Sequence, residues 1–532
     1  MDVSPVLSRI YGNWTEYVWQ QGRTVDRIQM GRIKCRPQAG ASLGSMTLAR
    51  SGTALLWALL WACWLASAGV QAGGGGSVFR QVACPAEVRA SRCGFVTAPL
   101  DHAHPLGPQI ELFVAVQGAA APGKLAQPDP VFYLEGGPGA RGSLALRRLA
   151  QVFPERDLVG IDQRGVGRSV PALDCPGINA LLLRQDVAAS AVAPLFLRAL
   201  AVCGTALRAQ GVRLELFDTT QAALDVETVR RALGYRQINL YGSSYGTRLA
   251  QEVLRRTPAH LRAVVLDSVI PASIDRVAQS PLAAKQALGR VFAACAASVS
   301  CRSHYPGLAA TYREALDQLA AAPLRIVGSA GRIDAQMFQS RLVSMMYTRQ
   351  GVSELPGRIV AAHSGDAGAF DSVATQPFGE SLSDALSWGA FYANECSGEV
   401  AYSTPARLSA GLDAAPEFAG ALSLVAGISS RDIFQACASL HLTRPAPLEN
   451  TAVRSGVPVL LLAGEFDPVT PPEWLPAASS GLSHAYPVVV KGAAHGPGLT
   501  TECGLSLATA FITDPTQALE KSCANQGLIR FR

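Results

Sequence analysis

Apolar residues gather into short continuous runs at 110–116, 131–135, 158–162, 237–241, 263–267, 457–463 and 486–490. Runs of this length, without polar alternation, are what parallel strands covered on both faces look like. Most are separated by longer stretches with helix-like patterning. Strand alternating with helix predicts an α/β fold with a mostly parallel central sheet. The rhythm stops between Pro271 and Asn450, where the chain is helix-like and rich in Ala and Leu. We expect a helical cap over 271–450, inserted between core segments 85–270 and 451–532. The segment 73–84 opens with Gly73-Gly-Gly-Gly-Ser77 and is expected to be flexible.

The N-terminal pattern is different. Met46-Thr-Leu-Ala-Arg50 precedes an apolar stretch at 54–65, then the small-x-small sites Ala66-Ser-Ala68 and Val70-Gln-Ala72. A dozen apolar residues fall short of the ~20 that cross a bilayer. A signal peptide over 46–72, cleaved after Ala72, is therefore expected, with no stable membrane span in the mature chain. Residues 1–45 read as a non-structural leader or an over-extended start. Cys63 would be a lipidation cysteine only in a poor context, because Trp61 stands two residues before it.

Composition agrees with a folded exported protein. The 532 residues are 49% hydrophobic and 16% charged, with formal net charge +6. Residues 1–50 hold +4 of that, leaving +2 for the rest, so nothing suggests a nucleic-acid partner. Ten cysteines follow the leader, an even number that suggests disulfides in an oxidising compartment, periplasmic or extracellular. Pairing chain neighbours gives Cys84–Cys93, Cys175–Cys203, Cys295–Cys301, Cys396–Cys437 and Cys503–Cys523 as the simplest pattern, although sequence does not fix connectivity. No C-x-x-C spacing or His cluster indicates a metal, and no cofactor is expected.

The chemistry enters at Gly242-Ser-Ser-Tyr-Gly246, directly after the run 237–241 and before a helical stretch. G-x-S-x-G between strand and helix makes a sharp turn that lifts a serine hydroxyl, here Ser244, clear of the backbone. Such a nucleophile needs a base and an orienting acid. His495 lies in a small-residue loop just after the run 486–490, whereas His484 lies at the other end of that run. Asp467 follows the run 457–463 in the turn Gly464-Glu-Phe-Asp-Pro-Val-Thr-Pro471; Glu465 and Asp267 are its competitors. Oxyanion donors are expected from the backbone of Tyr245 and of Gly137, the latter in Gly136-Gly-Pro-Gly139 after the run 131–135. Asp162-Gln-Arg164 is expected to hold loops beneath the site.

These parts together resemble the prolyl aminopeptidase and tripeptidyl aminopeptidase group of α/β-hydrolases. The resemblance rests on Glu135-Gly-Gly-Pro-Gly139, Asp162-Gln-Arg-Gly-Val-Gly-Arg-Ser169 and Gly242-Ser-Ser-Tyr-Gly-Thr247. Asp218-Thr-Thr220, 225–234, the turn 464–471 and the tail Cys503 to Cys523 extend it over roughly residues 85–525. Glu135 departs from the His or Pro common in relatives, and Ser243 from Gly. The resemblance implies an α/β-hydrolase fold and a peptide substrate with a free N-terminus, cleaved through an acyl-enzyme. Exopeptidases hold the substrate ammonium with carboxylates; Glu135, Glu395 and Glu399 are the candidates. A carboxylesterase of the same fold, and a hydrolase-like binding protein, are the alternatives. Oligomeric state is left open.

Overall fold

Each apolar run becomes a strand of one sheet because each can bury both of its faces. The computed structural model describes residues 78–120, 126–182, 189–325, 332–370, 386–418, 431–442 and 449–532. The expected leader, signal peptide, Cys63 and glycine run 73–77 lie outside these residues. In chain order the sheet contains β1 (Phe79–Val82), β2 (Arg92–Pro99), β3 (Gln109–Gln117), β4 (Gln127–Leu134), β5 (Arg156–Ile161), β6 (Ile238–Ser243) and β7 (Leu261–Asp267). After the helical insertion, which carries a two-stranded hairpin of β8 (Leu324–Arg325) and β9 (Arg332–Ile333), come β10 (Val459–Gly464) and β11 (Ala485–Val490). The order across the nine-stranded sheet is β1-β2-β3-β5-β4-β6-β7-β10-β11. From β5 to β11 neighbours pair parallel, while β1, β2 and β3 form an antiparallel flank.

The flank corrects the sequence reading. Phe79–Val82, inside the segment expected to be flexible, is an edge strand paired with β2, and Cys84 beyond it is bonded to Cys93. β2 itself went unpredicted. Its Arg92, Gly94, Thr97 and Pro99 break up any apolar run, and only part of the strand is buried. The β8–β9 hairpin inside the insertion was likewise unforeseen, being only two residues per strand. All five neighbour cysteine pairs are joined.

Alternate strand residues feed two cores. Phe132, Leu240, Val264 and Leu461 pack on one face with Val226, Val229, Leu249 and Val253 from the helices Thr219–Ala232 and Tyr245–Arg256. Val131, Tyr133, Tyr241, Val265 and Leu462 pack on the other, with Leu507 and Phe511 of the helix Glu502–Thr513. Burial of each large apolar side chain contributes about 1.5–3 kcal/mol, so both faces drive folding.

The insertion has cores of its own. Tyr312, Phe338 and Leu355 bring together helices Leu308–Ala321, Ala335–Met345 and Arg349–His363, and Phe466 and Ala494 from the sheet loops join them. A second group joins Trp388, Tyr392, Cys396 and Cys437 to Phe196, Leu200 and Leu207 of the helix Ala189–Ala209. The stretch Ala191–Ala209 of that helix is long and apolar enough to cross a membrane; those three buried residues tie it into this core.

Asp162 and Arg164 hold loops, as expected. Asp162 accepts from the N–H groups of Ser143 and Arg168. Arg164 grips both oxygens of Asp225 and donates to the carbonyls of Leu100 and Leu216.

Candidate active site

The chain turns from β6 into the helix Tyr245–Arg256 in a single residue. Ser244 has φ 54° and ψ −123°, a conformation that costs a non-glycine residue on the order of 1–3 kcal/mol. The surroundings enforce it. Ser244 N donates to the Asp267 carbonyl at 2.9 Å, and the Ser244 carbonyl accepts from both the N–H and the hydroxyl of Thr247. A Cβ on Gly246 would stand 1.9 Å from the Leu134 carbonyl oxygen, and one on Gly242 would stand 2.4 Å from that of Gly246. The two glycines of the motif are therefore needed for close packing of strand against helix.

His495 follows β11, and the left-handed Gly496 (φ 68°) turns the chain into the short helix Pro497–Thr500. Its Nδ1 lies 2.8 Å from Asp467 Oδ2. Asp467 is fully buried and also accepts from the N–H groups of Val469 and Thr470 and from the hydroxyls of Ser268 and Thr470. Burial alone would raise the Asp467 pKa, but the His495 charge and these hydrogen bonds together hold it below the usual carboxylate value. Burial pulls His495 down, and the attraction and hydrogen bond of Asp467 override it, leaving the imidazole above its ordinary value. A proton held on Nδ1 by Asp467 leaves Nε2 as the basic nitrogen.

The other titratable groups named from sequence serve elsewhere. Glu465 accepts from Gly492 N at 2.7 Å and from Lys491. Asp267 accepts from the Tyr241 hydroxyl and from Gly498 N. His484, at the start of β11, bonds the Gly456 carbonyl at the opposite end of the strand.

The glycine loop after β4 lies against the serine: a Cβ on Gly136 would come within 2.9 Å of Ser244 Cβ. Gly136 N is committed to Glu135 Oε1 at 2.8 Å. Gly137 N has no backbone acceptor among the described residues. Tyr245 opens the helix, so its N–H belongs to the first turn, where no intrahelical acceptor exists.

The three candidate ammonium ligands are all engaged. Glu135 Oε1 also accepts from the Tyr133 hydroxyl at 3.0 Å. Glu395 is ion-paired with Arg276, and Glu399 lies 3.1 Å from Arg248 Nε and 3.8 Å from Arg276 Nε. Glu395 and Glu399 sit in a five-residue π-turn that continues the helix Trp388–Asn394. One contact ties this turn to the residue after the serine: the Tyr245 hydroxyl donates to Asn394 Oδ1 at 2.7 Å. Tyr347, also from the insertion, packs its ring 4.9 Å from that of His495. Buried Glu449 adds a third carboxylate, with Arg248 4.0 Å from it and the Thr219 side chain beside it. Burial pushes it up to about 7 against the attraction of Arg248.

Sequence reasoning missed Ser268, Thr470, Tyr347, Arg276 and Glu449. Ser268 and Thr470 stand beside strand ends within three residues of named acids, which is a usable signal. Tyr347, Arg276 and Glu449 come from the insertion or its margins and carry no local signature. Among the described residues no His, Cys, Asp and Glu group is arranged to hold a metal.

Residues 129–500 match the family described as the alpha/beta hydrolase fold. The tripeptidyl aminopeptidase of Streptomyces lividans is 32% identical over 197 residues, covering 35% of this chain and 36% of that protein. Serine protease Hip1 of Mycobacterium tuberculosis is 28% identical over 223 residues, covering 39% of this chain and 42% of its own length. The matched stretches thus span well under half of these curated relatives. Among solved structures, proline iminopeptidase from Mycobacterium smegmatis aligns with 18% identity and TM-score 0.36, covering 79% of this chain and 98% of that one.

Proposed function

The chain belongs to the alpha/beta hydrolase fold family, and from that premise we propose that it is an exported serine hydrolase. It removes single residues or short peptides from free peptide N-termini. The observation that carries the reading is the pairing of His495 Nδ1 with buried Asp467 at 2.8 Å, together with a serine in a strained strand-to-helix turn whose N–H is held by Asp267, the neighbour of the Ser268 that bonds Asp467. Ser244 attacks the scissile carbonyl while His495 Nε2 takes its proton. Asp467 fixes the imidazole tautomer and stabilises the imidazolium, and the N–H groups of Gly137 and Tyr245 receive the oxyanion. His495 then protonates the departing amine, and a water repeats the sequence on the acyl-enzyme.

Three features support a peptide with a free amine. Two relatives carry peptidase names. The π-turn that holds Glu395 and Glu399 follows directly on Asn394, which bonds the Tyr245 hydroxyl. Three glutamates, Glu395, Glu399 and Glu449, face two arginines, Arg248 and Arg276, and a substrate ammonium would favour the ionised form of Glu449, which burial pushes up to about 7. The helical insertion then acts as the cap that selects substrate. Export is supported by the five cysteine pairs and by the signal-like pattern at 46–72.

A carboxylesterase is the second reading, favoured by the arginines that already partner Glu395 and Glu399. Comparing free with N-acetylated peptide anilides, and with a short-chain aryl ester, separates the two. The peptidase reading expects cleavage of the free-amine anilides and little of the acetylated ones. Ester turnover with both anilides untouched would overturn it.

A further inference from the structure

Two buried tyrosines stand side by side on the sheet beneath the site. Tyr133 on β4 and Tyr241 on β6 are register partners, with ring centroids 5.9 Å apart. Each donates its hydroxyl to a carboxylate, and each carboxylate also accepts a backbone N–H from a loop that the proposed reaction uses. Tyr241 donates to Asp267 Oδ2 at 2.8 Å, and Asp267 Oδ1 accepts from Gly498 N at 2.9 Å, three residues beyond His495. Tyr133 donates to Glu135 Oε1, which accepts from Gly136 N beside Gly137. The Asp267 carbonyl also receives Ser244 N, so one residue ties both the serine turn and the histidine turn.

These pairs are expensive places for polar groups. Tyr241 and Asp267 are fully buried and Tyr133 is 3% exposed, while Glu135 is half-buried. An apolar pair would fill the same volume without the desolvation cost of a hydroxyl and a carboxyl. What the polar pair adds is direction: fixed acceptors aimed at particular N–H groups. The fit at Gly498 is tight, since a Cβ there would stand 2.3 Å from the Tyr241 hydroxyl and 2.8 Å from Asp267 Oδ2.

We infer, on the serine-hydrolase reading above, that Tyr241–Asp267 and Tyr133–Glu135 are a pair of braces that position the histidine turn and the oxyanion glycine loop. All four are positioning residues; none touches the reacting atoms. This gives Glu135 a different role from the ammonium ligand expected of it. The braces also carry charge. Burial pushes Asp267 up to about 6 against the bonds from Gly498 and Tyr241, and burial raises Glu135 against those from Gly136 and Tyr133. Asp267 faces Tyr241, the Gly498 N–H, His495 and Asp467; Glu135 faces Tyr133, the Gly136 N–H, Arg148 and His495. Both carboxylates, when ionised, favour the protonated form of His495.

The test uses Tyr241→Phe and Tyr133→Phe, which keep the rings in the core, with Asp267→Asn as a third variant. Amide hydrogen exchange read by mass spectrometry should rise over 492–500 in Tyr241→Phe and over 134–141 in Tyr133→Phe, each confined to its own loop. This readout does not depend on turnover, so failure of the braces and failure of the hydrolase reading are told apart. With an aryl ester, kcat should fall about tenfold or more with KM near the wild-type value, since ~1 Å of misplacement can cost a hundredfold. In Asp267→Asn the acid limb of kcat/KM should move to lower pH, because a charge favouring protonated His495 is gone. Unchanged exchange in the two loops, or ester kcat within twofold of wild type in both Tyr→Phe variants, would overturn the proposal.

Discussion

Carboxylates at the ends of the strands and carboxylates in the insertion are stabilised in opposite ways. Asp467 accepts from backbone N–H groups, hydroxyls and one imidazole, all supplied within a few residues of strand ends. Glu395, Glu399 and Glu449 lean on the charges of Arg248 and Arg276, which are distant in sequence, and Arg248 stands 4.0 Å from Glu449. The first arrangement is closed: every lone pair has a use and the geometry is fixed before substrate arrives. The second is open, with one acid more than it has guanidinium partners. Preorganised dipoles suit a site where charge develops in a transition state. A buried acid pushed up to about 7, which a nearby cation would ionise, suits one where a cation docks.

That contrast predicts which substitutions damage chemistry and which damage recognition. The largest effect is expected at Ser244: Ser244→Ala should lower kcat by roughly a millionfold, as removal of a triad nucleophile does, on ester and peptide substrates alike. Asp467→Asn should cost about ten-thousandfold in kcat through the wrong imidazole tautomer. The pH profile sharpens this. His495 must be neutral to act as base and its pKa lies above the ordinary 6.5, so wild-type kcat/KM should rise with pH through a limb above 6.5. Losing the Asp467 charge should shift that limb downward; a limb that stays put would separate the histidine titration from Asp467.

In the open region the effect should be smaller and fall on KM. Glu395→Gln or Glu449→Gln is expected to raise KM for free-amine anilides by about 10–100-fold, the worth of a hydrogen bond to a charged group. Aryl-ester turnover should change little. An equal loss on both substrates would erase the distinction between the two regions. The smallest effect is expected at the seam between them. Tyr347→Leu, which removes the ring packed on His495, should lower kcat about 2–10-fold, in line with the strength of an aromatic pair.

The same contrast decides what the sequence disclosed. Ser244, Asp467, His495 and Gly137 each follow a strand that reads as an apolar run, so their shared position at one end of the sheet follows from strand order. The central strands were legible for the same reason, with ends displaced by a few residues. β1 and β2 were not, because a flank that is only partly buried mixes Arg, Gln and Thr with its apolar residues. Glu449 and Arg276 were invisible as site residues, since nothing local marks a glutamate brought to an arginine by the packing of an insertion. Glu135 was legible as a residue of the glycine loop but not in its bonding, which depends on a tyrosine that looks in sequence like any core aromatic.

The proposed chemistry needs one nucleophile activated by one histidine. The most direct measurement treats the protein with a fluorophosphonate probe and locates the adduct by peptide mass mapping, with His495→Ala alongside. A single adduct on Ser244, formed far more slowly in the variant, is the predicted result. An adduct on another residue, or hydrolytic activity that survives complete labelling of Ser244, would contradict it.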